Sequence, residues 1–304
     1  MKRTTLTLII FLILFLILLV TFVIFSNPVE EEGPVVYNKT IMLEPGNGAV
    51  INIWIDSFSR FDKLKDHGVR YLFVDVGDTG KDGKIKTPES EIKDFLDFIG
   101  RYESENNYDF IILPYSEVIA EDCDISSESF KNNFVWDYTR LDSLGFDGIL
   151  VDIEGIPLAE RAGYLSLLER LRERLQKNSI ISVYAGALSD SHNEWEWNYD
   201  FYKSVSERVD LVSASGYDSD IADAAEYKTY IRDQVALLSS QNFNTYFLFA
   251  VPTHKDYPET IDNALSAYTS EVKKYPENKF LGICIFAEWT VNEDEWKVID
   301  RFIY

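Results

Sequence analysis

The 304-residue sequence has few histidines, the residues common in zinc and other transition-metal sites, and few of the basic residues that nucleic-acid-binding proteins use. It holds only 3 histidines, and they are scattered without the spacing of a metal site. Basic residues are also scarce, with 29 against 51 acidic ones, which gives a formal net charge of −22. A surface of this sign repels polyanions, so we expect no nucleic-acid partner, and the scattered histidines predict no metal site.

Cysteine is nearly absent, since the chain has only Cys123 and Cys284. They are too few for a disulfide framework, although the two could pair in an oxidising compartment. Cys284 lies inside an apolar run, and cysteine is among the residue types most often simply buried. We therefore expect two free thiols, with a single disulfide as the alternative.

One long apolar run, residues 6–25, carries no charge and has about the 20 residues that a helix needs to cross a bilayer. Lys2 and Arg3 precede it and three glutamates follow at residues 30–32, so the positive-inside tendency places the N-terminus in the cytoplasm. A cleaved signal peptide is the alternative, but its apolar core is shorter, about 7–15 residues. We predict a single-pass anchor in the cell membrane over residues 1–26, with the rest of the chain outside.

Beyond this run the chain divides into a linker and one folded domain. Residues 27–47 combine prolines, glycines and acidic residues with little periodicity, which is typical of a stalk. From residue 48 to 304, short apolar runs alternate with stretches of helical period, the pattern of βαβ units. The predicted strands are residues 50–55, 71–76, 110–114, 148–153, 180–184, 211–214, 245–251 and 281–286.

Helices are predicted over residues 90–103, 158–176, 220–239 and 260–274, where apolar residues recur at helical spacing. Eight βα repeats indicate a (β/α)8 TIM barrel. An open doubly wound sheet is the alternative, but residues 56–60, after the first strand, do not form the glycine-rich phosphate loop usual there. The predicted architecture is thus one N-terminal transmembrane helix, a stalk and a barrel, which we expect to be monomeric.

Active sites of such barrels lie at the carboxyl ends of the strands, so the polar residues at those ends are the candidates. They are Asp56, Asp75, Asp78, Tyr115, Glu117, Asp152, Glu154, Tyr184, Tyr217, Asp218, His254, Glu288 and Trp289. Carboxylates and aromatic rings dominate this set. Both are expected at a sugar site, where rings stack on pyranose faces and paired carboxyls move protons.

The fourth strand carries the sharpest signal. Because side chains alternate along a strand, Leu150, Asp152 and Glu154 share one face. If that face is the barrel interior, repulsion between the two carboxyls raises the proton affinity of at least one of them, which can then act as an acid. The alternative is a salt-bridged rim without chemistry.

A second feature follows the fifth strand, where residues 192–197 read His-Asn-Glu-Trp-Glu-Trp. Exposed tryptophans on a loop at the barrel mouth could form a platform for a sugar ring. A hydrophobic staple at the start of the next helix explains the same residues equally well.

Residues 146–154, Phe-Asp-Gly-Ile-Leu-Val-Asp-Ile-Glu, resemble the strand-4 signature D-G-x-D-x-D-x-E of the chitinase-like barrels of glycoside hydrolase family 18. Residues 209–218 resemble the strand-6 segment of that family, which ends in Tyr-Asp. Residues 282–286 resemble its last strand, which ends in an aromatic residue, here Phe286. The resemblance extends over residues 48–304. Two positions depart from the pattern, because Leu150 replaces an aspartate and Phe286 replaces a tryptophan for which Trp289 is a candidate substitute.

The resemblance implies substrate-assisted, retaining hydrolysis of an N-acetylated amino-sugar polymer, without a metal, another cofactor or an enzyme nucleophile. Glu154 then matches the proton donor, Asp152 the carboxylate that orients the substrate acetamido group, and Tyr217 a hydrogen-bond donor to that group. The remaining candidates would bind the glycan: Asp56, Asp75, Tyr115, Tyr184, Asp218, Phe286, Glu288 and Trp289.

Two other functions stay open. In a two-carboxylate glycosidase, Glu154 would be the acid, and Glu288 or Asp218 the base or nucleophile. In a glycan-binding barrel without activity, the same mouth would bind a sugar and leave it intact.

Overall fold

A computed structural model of the chain describes residues 43–190, 193–253 and 257–303. The predicted anchor and most of the predicted stalk lie outside these residues, as do His192 and His254. Over the described ranges, no helix combines the length and apolar character that crossing a bilayer requires.

The described residues form a barrel of eight parallel strands, which confirms the predicted (β/α)8 architecture. In chain order the strands β1 to β8 are Asn47–Asn52, Val69–Asp75, Ile111–Tyr115, Gly148–Val151, Ile180–Ala185, Leu211–Ser215, Tyr246–Pro252 and Phe280–Phe286. β1 pairs with both β2 and β8. Between β3 and β4 the barrel closes through hydrogen bonds from Asp147 N to Ile112 O, 3.0 Å, and from Ile112 N to Asp147 Oδ2, 2.8 Å.

Helices follow the strands and cover the outside of the barrel. In chain order α1 to α8 are Phe58–Asp66, Glu89–Asn106, Glu128–Leu144, Arg161–Arg174, Tyr199–Ser206, Ala224–Ser240, Ile261–Val272 and Glu293–Ile303. Side-chain oxygens of Ser127, Asn198, Asp223 and Thr260 cap the first turns of α3, α5, α6 and α7. These caps fix where four of the helices leave the loops at the barrel mouth.

Two separate apolar clusters follow from strand alternation. The larger one joins the outer faces of the strands to the helices. The smaller one fills the barrel interior and takes alternate positions, such as Tyr71 and Phe73 of β2 or Leu248 and Ala250 of β7. Leu150 of β4 belongs to this interior cluster. The position where the family signature has its first aspartate is therefore packed among apolar side chains.

Both cysteines are free thiols. Cys284 lies in the barrel interior, where burial raises the pKa of its thiol to about 12. Cys123 is half-buried beside a short 3-10 turn. A thiol held protonated in an apolar interior is a packing group and not a reactive one.

Candidate active site

The acidic pair lies where β4 reaches the barrel mouth. Two short parallel strands, Val118–Ile119 and Ile153–Glu154, extend the wall there, and Val118 N donates to the Asp152 carbonyl at 2.9 Å. These backbone bonds preserve the alternation, so Asp152 lies two positions above Leu150 on the interior face. The Asp152 side chain is buried, 8% exposed, and its Oδ1 has no hydrogen-bond partner among the described residues.

Burial governs the proton affinity of the pair. Loss of hydration, followed by the charges of Glu154, Glu117 and Asp75, raises the pKa of Asp152 well above its ordinary value. Burial, followed by the charges of Glu117 and Asp218, raises the pKa of Glu154 to about 7. Repulsion within the pair, the cause predicted from the sequence, is therefore smaller than burial. Near neutral pH the pair holds at least one proton.

Three aromatic side chains form a wall beside this pair. Tyr217, just after β6, stacks on Phe286 at the end of β8 with ring centroids 4.9 Å apart and an interplanar angle of 15°. The ring centroids of Tyr184 of β5 and Tyr217 lie 6.2 Å apart, and a hydrogen bond joins the two hydroxyls. Burial raises the pKa of both phenols well above their ordinary value. Both hydroxyls therefore stay protonated, and because one of the two protons lies in the bond between them, only one hydroxyl can donate to a ligand while that bond is present.

A cleft of about 540 Å³ opens over this wall. It brings together four of the predicted site residues: Glu154, Tyr184, Tyr217 and Asp218. The rest of its lining comes from the loops after β4, β5 and β6 and from α6, and includes Gly155, Gly186, Asn193, Trp195, Glu196, Ser219, Asp220 and Tyr230. An enclosed wall of aromatic rings with convergent carboxyls has the composition of a small-molecule or sugar site.

The loop after β5 closes one side of the cleft. Trp195 is 51% exposed, and its indole lies so close to Gly155 that a Cβ there would stand 3.2 Å from a ring carbon. Gly155 also has a φ of 64°, a conformation that few other residues adopt. A Cβ on Gly186 would stand 2.0 Å from the Trp195 carbonyl oxygen. Glycine at both positions is what lets this tryptophan approach the acid.

The hydrophobic-staple explanation of this loop holds for Trp197, and the platform stays a prediction for Trp195. Trp197 is buried and precedes Asn198, whose side chain caps α5. Its ring meets Tyr202, in the second turn of the helix, with centroids 5.4 Å apart, which is a hydrophobic staple. Trp195 is left exposed at the cleft, where it can serve as a platform.

Other predicted residues lie elsewhere at the mouth. Asp75 is half-buried, accepts from Gly77 N at 2.8 Å and pairs in register with the buried Tyr115. Glu288 forms an ion pair with Arg60, whose Nε donates at 3.0 Å, and lines a different cleft of about 650 Å³ together with Trp289. Asp56 is exposed near Arg60. The structure therefore groups Glu288, Trp289 and Asp56 apart from Glu154.

Two acidic residues act on the site although the sequence assigns them neither a catalytic nor a glycan-binding role. Glu117, predicted only as a polar residue at a strand end, adds its charge at both members of the acidic pair. Glu259 is buried and accepts hydrogen bonds from Asp218 N at 3.0 Å, Ser219 N at 2.7 Å and Ser219 Oγ at 2.5 Å. It thereby fixes the loop that follows Tyr217. Gly155 after β4 and Gly186 after β5 are the sequence signal that could have indicated a close approach of another segment.

The chemistry available is that of carboxyls and phenols. Within the described ranges, no three His, Cys, Asp or Glu side chains are grouped so as to hold a metal ion. A protonated Glu154 can donate a proton, and Asp152 can accept a hydrogen bond from a buried donor of the ligand. These groups can perform general acid catalysis, in which the acid protonates the oxygen of the leaving group as its bond breaks.

Comparisons with known proteins agree with this architecture. No family model matches the chain. An uncharacterized glycosylase, YvbX, of Bacillus subtilis (strain 168) is 31% identical over 74 residues, which are 23% of this chain and 21% of that protein. The match thus spans about a fifth of the relative.

Solved structures share the whole barrel. The spore cortex-lytic enzyme SleL of Bacillus megaterium QM B1551 is 14% identical, with a TM-score of 0.59 over 86% of this chain and 75% of that one. A class V chitinase of Pseudomonas fluorescens Pf-5 is 14% identical, with a TM-score of 0.60 over 86% and 100%. A family GH18 chitinase of Chromobacterium violaceum is 12% identical, with a TM-score of 0.57 over 88% and 83%. The expected likeness to chitinase-like barrels is confirmed for the fold.

Proposed function

We propose that this barrel is a glycoside hydrolase that cleaves an N-acetylated amino-sugar polymer with retention, using the acetamido group of the substrate as the nucleophile. The observation that carries the proposal is the pairing of a carboxyl that lines the cleft, Glu154, with a buried one, Asp152. Glu154 has a pKa of about 7, and Asp152 is buried with an unpartnered Oδ1. The shared fold of solved chitinases supports the same conclusion.

Glu154 is the general acid of this proposal. Its pKa of about 7 leaves about half of the Glu154 carboxyls protonated at neutral pH, and this form can give its proton to the leaving glycosidic oxygen as the C1–O bond breaks. The resulting carboxylate then takes a proton from the water that completes hydrolysis. General acid catalysis of this kind contributes about 10²–10⁴ in rate.

Asp152 is the positioning carboxylate. An unsatisfied buried acceptor costs about 1–3 kcal/mol, and the N–H of a bound acetamido group would supply the missing donor to Oδ1. That bond holds the acetamido oxygen at the anomeric carbon, where it attacks C1 to form a cyclic oxazolinium ion as the leaving group departs. Water then opens this ring from the face that the leaving group occupied, so the configuration is retained. Tyr217, which borders the same cleft, donates to the acetamido oxygen.

The second candidate function is a glycosidase that uses two protein carboxylates, with Asp218 as the partner of Glu154. It lines the cleft together with Glu154, whereas Glu288 is bound by Arg60 and lines a different cleft. Of Asp218 and Glu288, Asp218 is therefore the one placed to replace the substrate acetamido group as base or nucleophile. The glycan-binding alternative needs no proton donor and gives no reason for the raised pKa of Glu154.

The proposal includes a place for the enzyme at the outer face of the cell membrane. This location is argued from the sequence alone, from the uncharged run at residues 6–25 and the charges that flank it. These residues lie outside the described structure. Protease added to intact cells should release a soluble barrel cut within residues 27–47. Complete protection of the barrel would contradict this topology.

The test of the proposed activity is a substrate panel with one matched pair of variants. The full-length protein is assayed on N-acetylglucosamine oligomers, peptidoglycan and neutral glycans, and we expect hydrolysis of N-acetylated substrates alone. Glu154→Gln should lose about 10²-fold or more in rate and still bind the oligomers. Glu105→Gln, at an exposed carboxylate of α2, is the control and should keep full activity. Activity of Glu154→Gln at the rate of the native protein would remove Glu154 from the acid role.

A further inference from the structure

The carboxyl of Glu117 stands beside the acidic pair, on the neighbouring strand. Val118, the residue after Glu117, pairs in register with Ile153, the residue after Asp152. Both apolar side chains belong to the larger cluster, on the outer face of the barrel wall. Because side chains alternate along a strand, Glu117 and Asp152 both point to the interior face. Two adjacent strands therefore present carboxyls to the same side of the mouth.

The backbone that carries Glu117 is fixed on both sides. Val118 N donates to the Asp152 carbonyl at 2.9 Å, and the N–H of the buried Ser116 donates to the Tyr138 hydroxyl at 3.0 Å. The Glu117 side chain itself is exposed, and it does not occur among the described residues that line the cleft. Its carboxylate is thus held near the pair, in water, without bordering the ligand.

A charge at this rim acts strongly on the pair because the barrel is apolar beneath it. Leu150, two positions below Asp152, is packed in the interior cluster, so water is excluded on that side and screening there is weaker. Burial is the largest cause of the raised pKa of Glu154, and among the charges that add to it that of Glu117 comes before that of Asp218. Glu117 is therefore the main charged neighbour of the proposed acid.

The other titratable groups around the pair do not offset this repulsion, since the described lining of the cleft includes no lysine, arginine or histidine. The carboxyls are Asp75 of β2, Glu196, Asp218 and Asp220. The phenols, which burial keeps neutral by raising the pKa of each, are Tyr115, Tyr138, Tyr164, Tyr184, Tyr217 and Tyr230. At the rim, Asp75 and Asp78 add their charges at Glu117, and Lys86 pairs with Asp78 at 3.7 Å. Like charges gathered at a cleft indicate a functional arrangement.

Glu117 loses its proton before the buried pair as the pH rises. Water stabilises the charge of the exposed Glu117, whereas Asp152 and Glu154 have lost most of their hydration. Partial burial, followed by the charges of Asp75 and Asp78, raises the pKa of Glu117, but that of Glu154 rises to about 7. The rim carboxylate is therefore already charged when Glu154 begins to titrate, and its charge opposes that titration.

We infer that Glu117 is a positioning residue of this site, whose carboxylate holds the proton on Glu154 and so extends the pH range in which Glu154 can act as an acid. Glu117 acts through Glu154 and not on the ligand, because it lies outside the described lining of the cleft. The effect on rate rests on the proposed function. The effect on the proton of Glu154 does not.

The size of the effect follows from strand geometry. Glu154 lies two residues beyond the position in register with Glu117, which places the two Cα atoms about 8 Å apart. Two charges at about 8 Å, with an effective dielectric constant between about 20 and 80, change a pKa by about 0.4 to 1.5 units. Because the protonated fraction falls about tenfold for each pH unit above the pKa, this change corresponds to about 2-fold to 30-fold in rate near pH 8.

The first experiment is a pH–rate profile of the full-length protein on an N-acetylglucosamine oligomer. Glu117→Gln should move the alkaline limb of kcat/KM down by about 0.4 to 1.5 pH units and leave the rate near pH 5 unchanged. Glu117→Asp keeps the charge and should restore most of the native profile. Glu121→Gln, the same substitution at an exposed residue four positions further along, is the control and should leave the limb in place. A rate lowered equally at every pH would mean a structural role and overturn the inference.

The second experiment needs no turnover. Carbon-13 resonances of labelled glutamate carboxyls are titrated in the full-length protein, and the Glu154 resonance is identified by its loss in Glu154→Gln. We expect a midpoint of about 7 in the native protein, and one about 0.4 to 1.5 units lower in Glu117→Gln. Equal midpoints in the two proteins would overturn the inference.

The two experiments separate this inference from the proposed function. A lowered midpoint in Glu117→Gln, together with a native protein that cleaves no N-acetylated oligomer, would reject the proposed reaction and support the assignment of Glu117. Hydrolysis by the native protein, with a midpoint that Glu117→Gln does not move, would support the reaction and reject the assignment.

Discussion

Glu154 should destabilise the folded barrel at alkaline pH. A carboxyl whose pKa is raised from 4.5 to about 7 on folding binds its proton more tightly in the folded state than in the unfolded one. Its stabilising contribution is therefore fully present below pH 4.5, and it is lost as the pH rises through about 7. Glu154→Gln removes this titration and keeps the shape of the side chain.

The magnitude follows from the same values. Each unit of pKa corresponds to 1.36 kcal/mol, so the rise from 4.5 to about 7 corresponds to about 3 kcal/mol of lost stability. Burial and the charges of Glu117 and Asp218 are its sources. We expect Glu154→Gln to raise the free energy of unfolding by up to about 3 kcal/mol near pH 8. Near pH 4.5, where the native carboxyl is protonated, the variant should gain almost nothing.

Denaturant unfolding of both proteins at several pH values measures this difference. A thermal scan should show the same trend, with about 2–4 °C for each kcal/mol in a domain of this size. Glu105→Gln on α2 provides the control, since removal of an exposed carboxylate should not make stability depend on pH in this way. A variant that is destabilised equally at both ends of the pH range would refute the buried, protonated state of Glu154.

Three further predictions concern the reaction. The rate constant kcat/KM should fall as the pH rises through about 7, because the reaction needs the protonated form of Glu154, and a pH–rate profile checks this. Asp152→Asn should lower kcat by about 10²-fold or more and change KM little, since positioning of the acetamido group counts mainly in the transition state. Steady-state kinetics measures both constants, and a raised KM with an unchanged kcat would mean that Asp152 only binds the substrate. Glu259→Gln should lower the free energy of unfolding by about 1–3 kcal/mol and reduce kcat/KM, because an amide cannot accept all the bonds from Asp218 N and Ser219; unchanged kinetics in a destabilised variant would limit Glu259 to a structural role.

The strands could be predicted from the sequence because each is a short apolar run between helical stretches. Their observed bounds lie within about three residues of the predicted ones. β1 differs most, since it ends at Asn52 although Ile53 and Ile55 continue the apolar alternation. The Asn52 side chain accepts from Trp54 N at 3.0 Å and turns the chain there. A side-chain bond of this kind leaves no mark in the hydrophobic pattern.

The centre of the candidate site could also be anticipated, because residues at the ends of β4, β5 and β6 must meet at one mouth. The outer walls of the site could not be predicted. The position of Trp195 depends on a buried Arg161 that is distant in sequence, and that of Asp218 depends on Glu259. Glu288 and Trp289 follow β8 as expected, yet they border a second cleft because Arg60 binds Glu288. Such contacts between loops are set by packing and not by local pattern.

The central claim is that the acetamido group of the substrate, held by Asp152, attacks the anomeric carbon. The most direct measurement compares kcat on two oligomers that differ only at the cleaved residue, which carries N-acetyl in one and N-trifluoroacetyl in the other. Fluorine weakens the carbonyl oxygen as a nucleophile and keeps the N–H that Asp152 accepts. We predict that kcat falls by more than about tenfold, which corresponds to at least about 1.4 kcal/mol in the barrier. Equal kcat on both oligomers would contradict the claim and make a protein carboxylate, Asp218, the nucleophile.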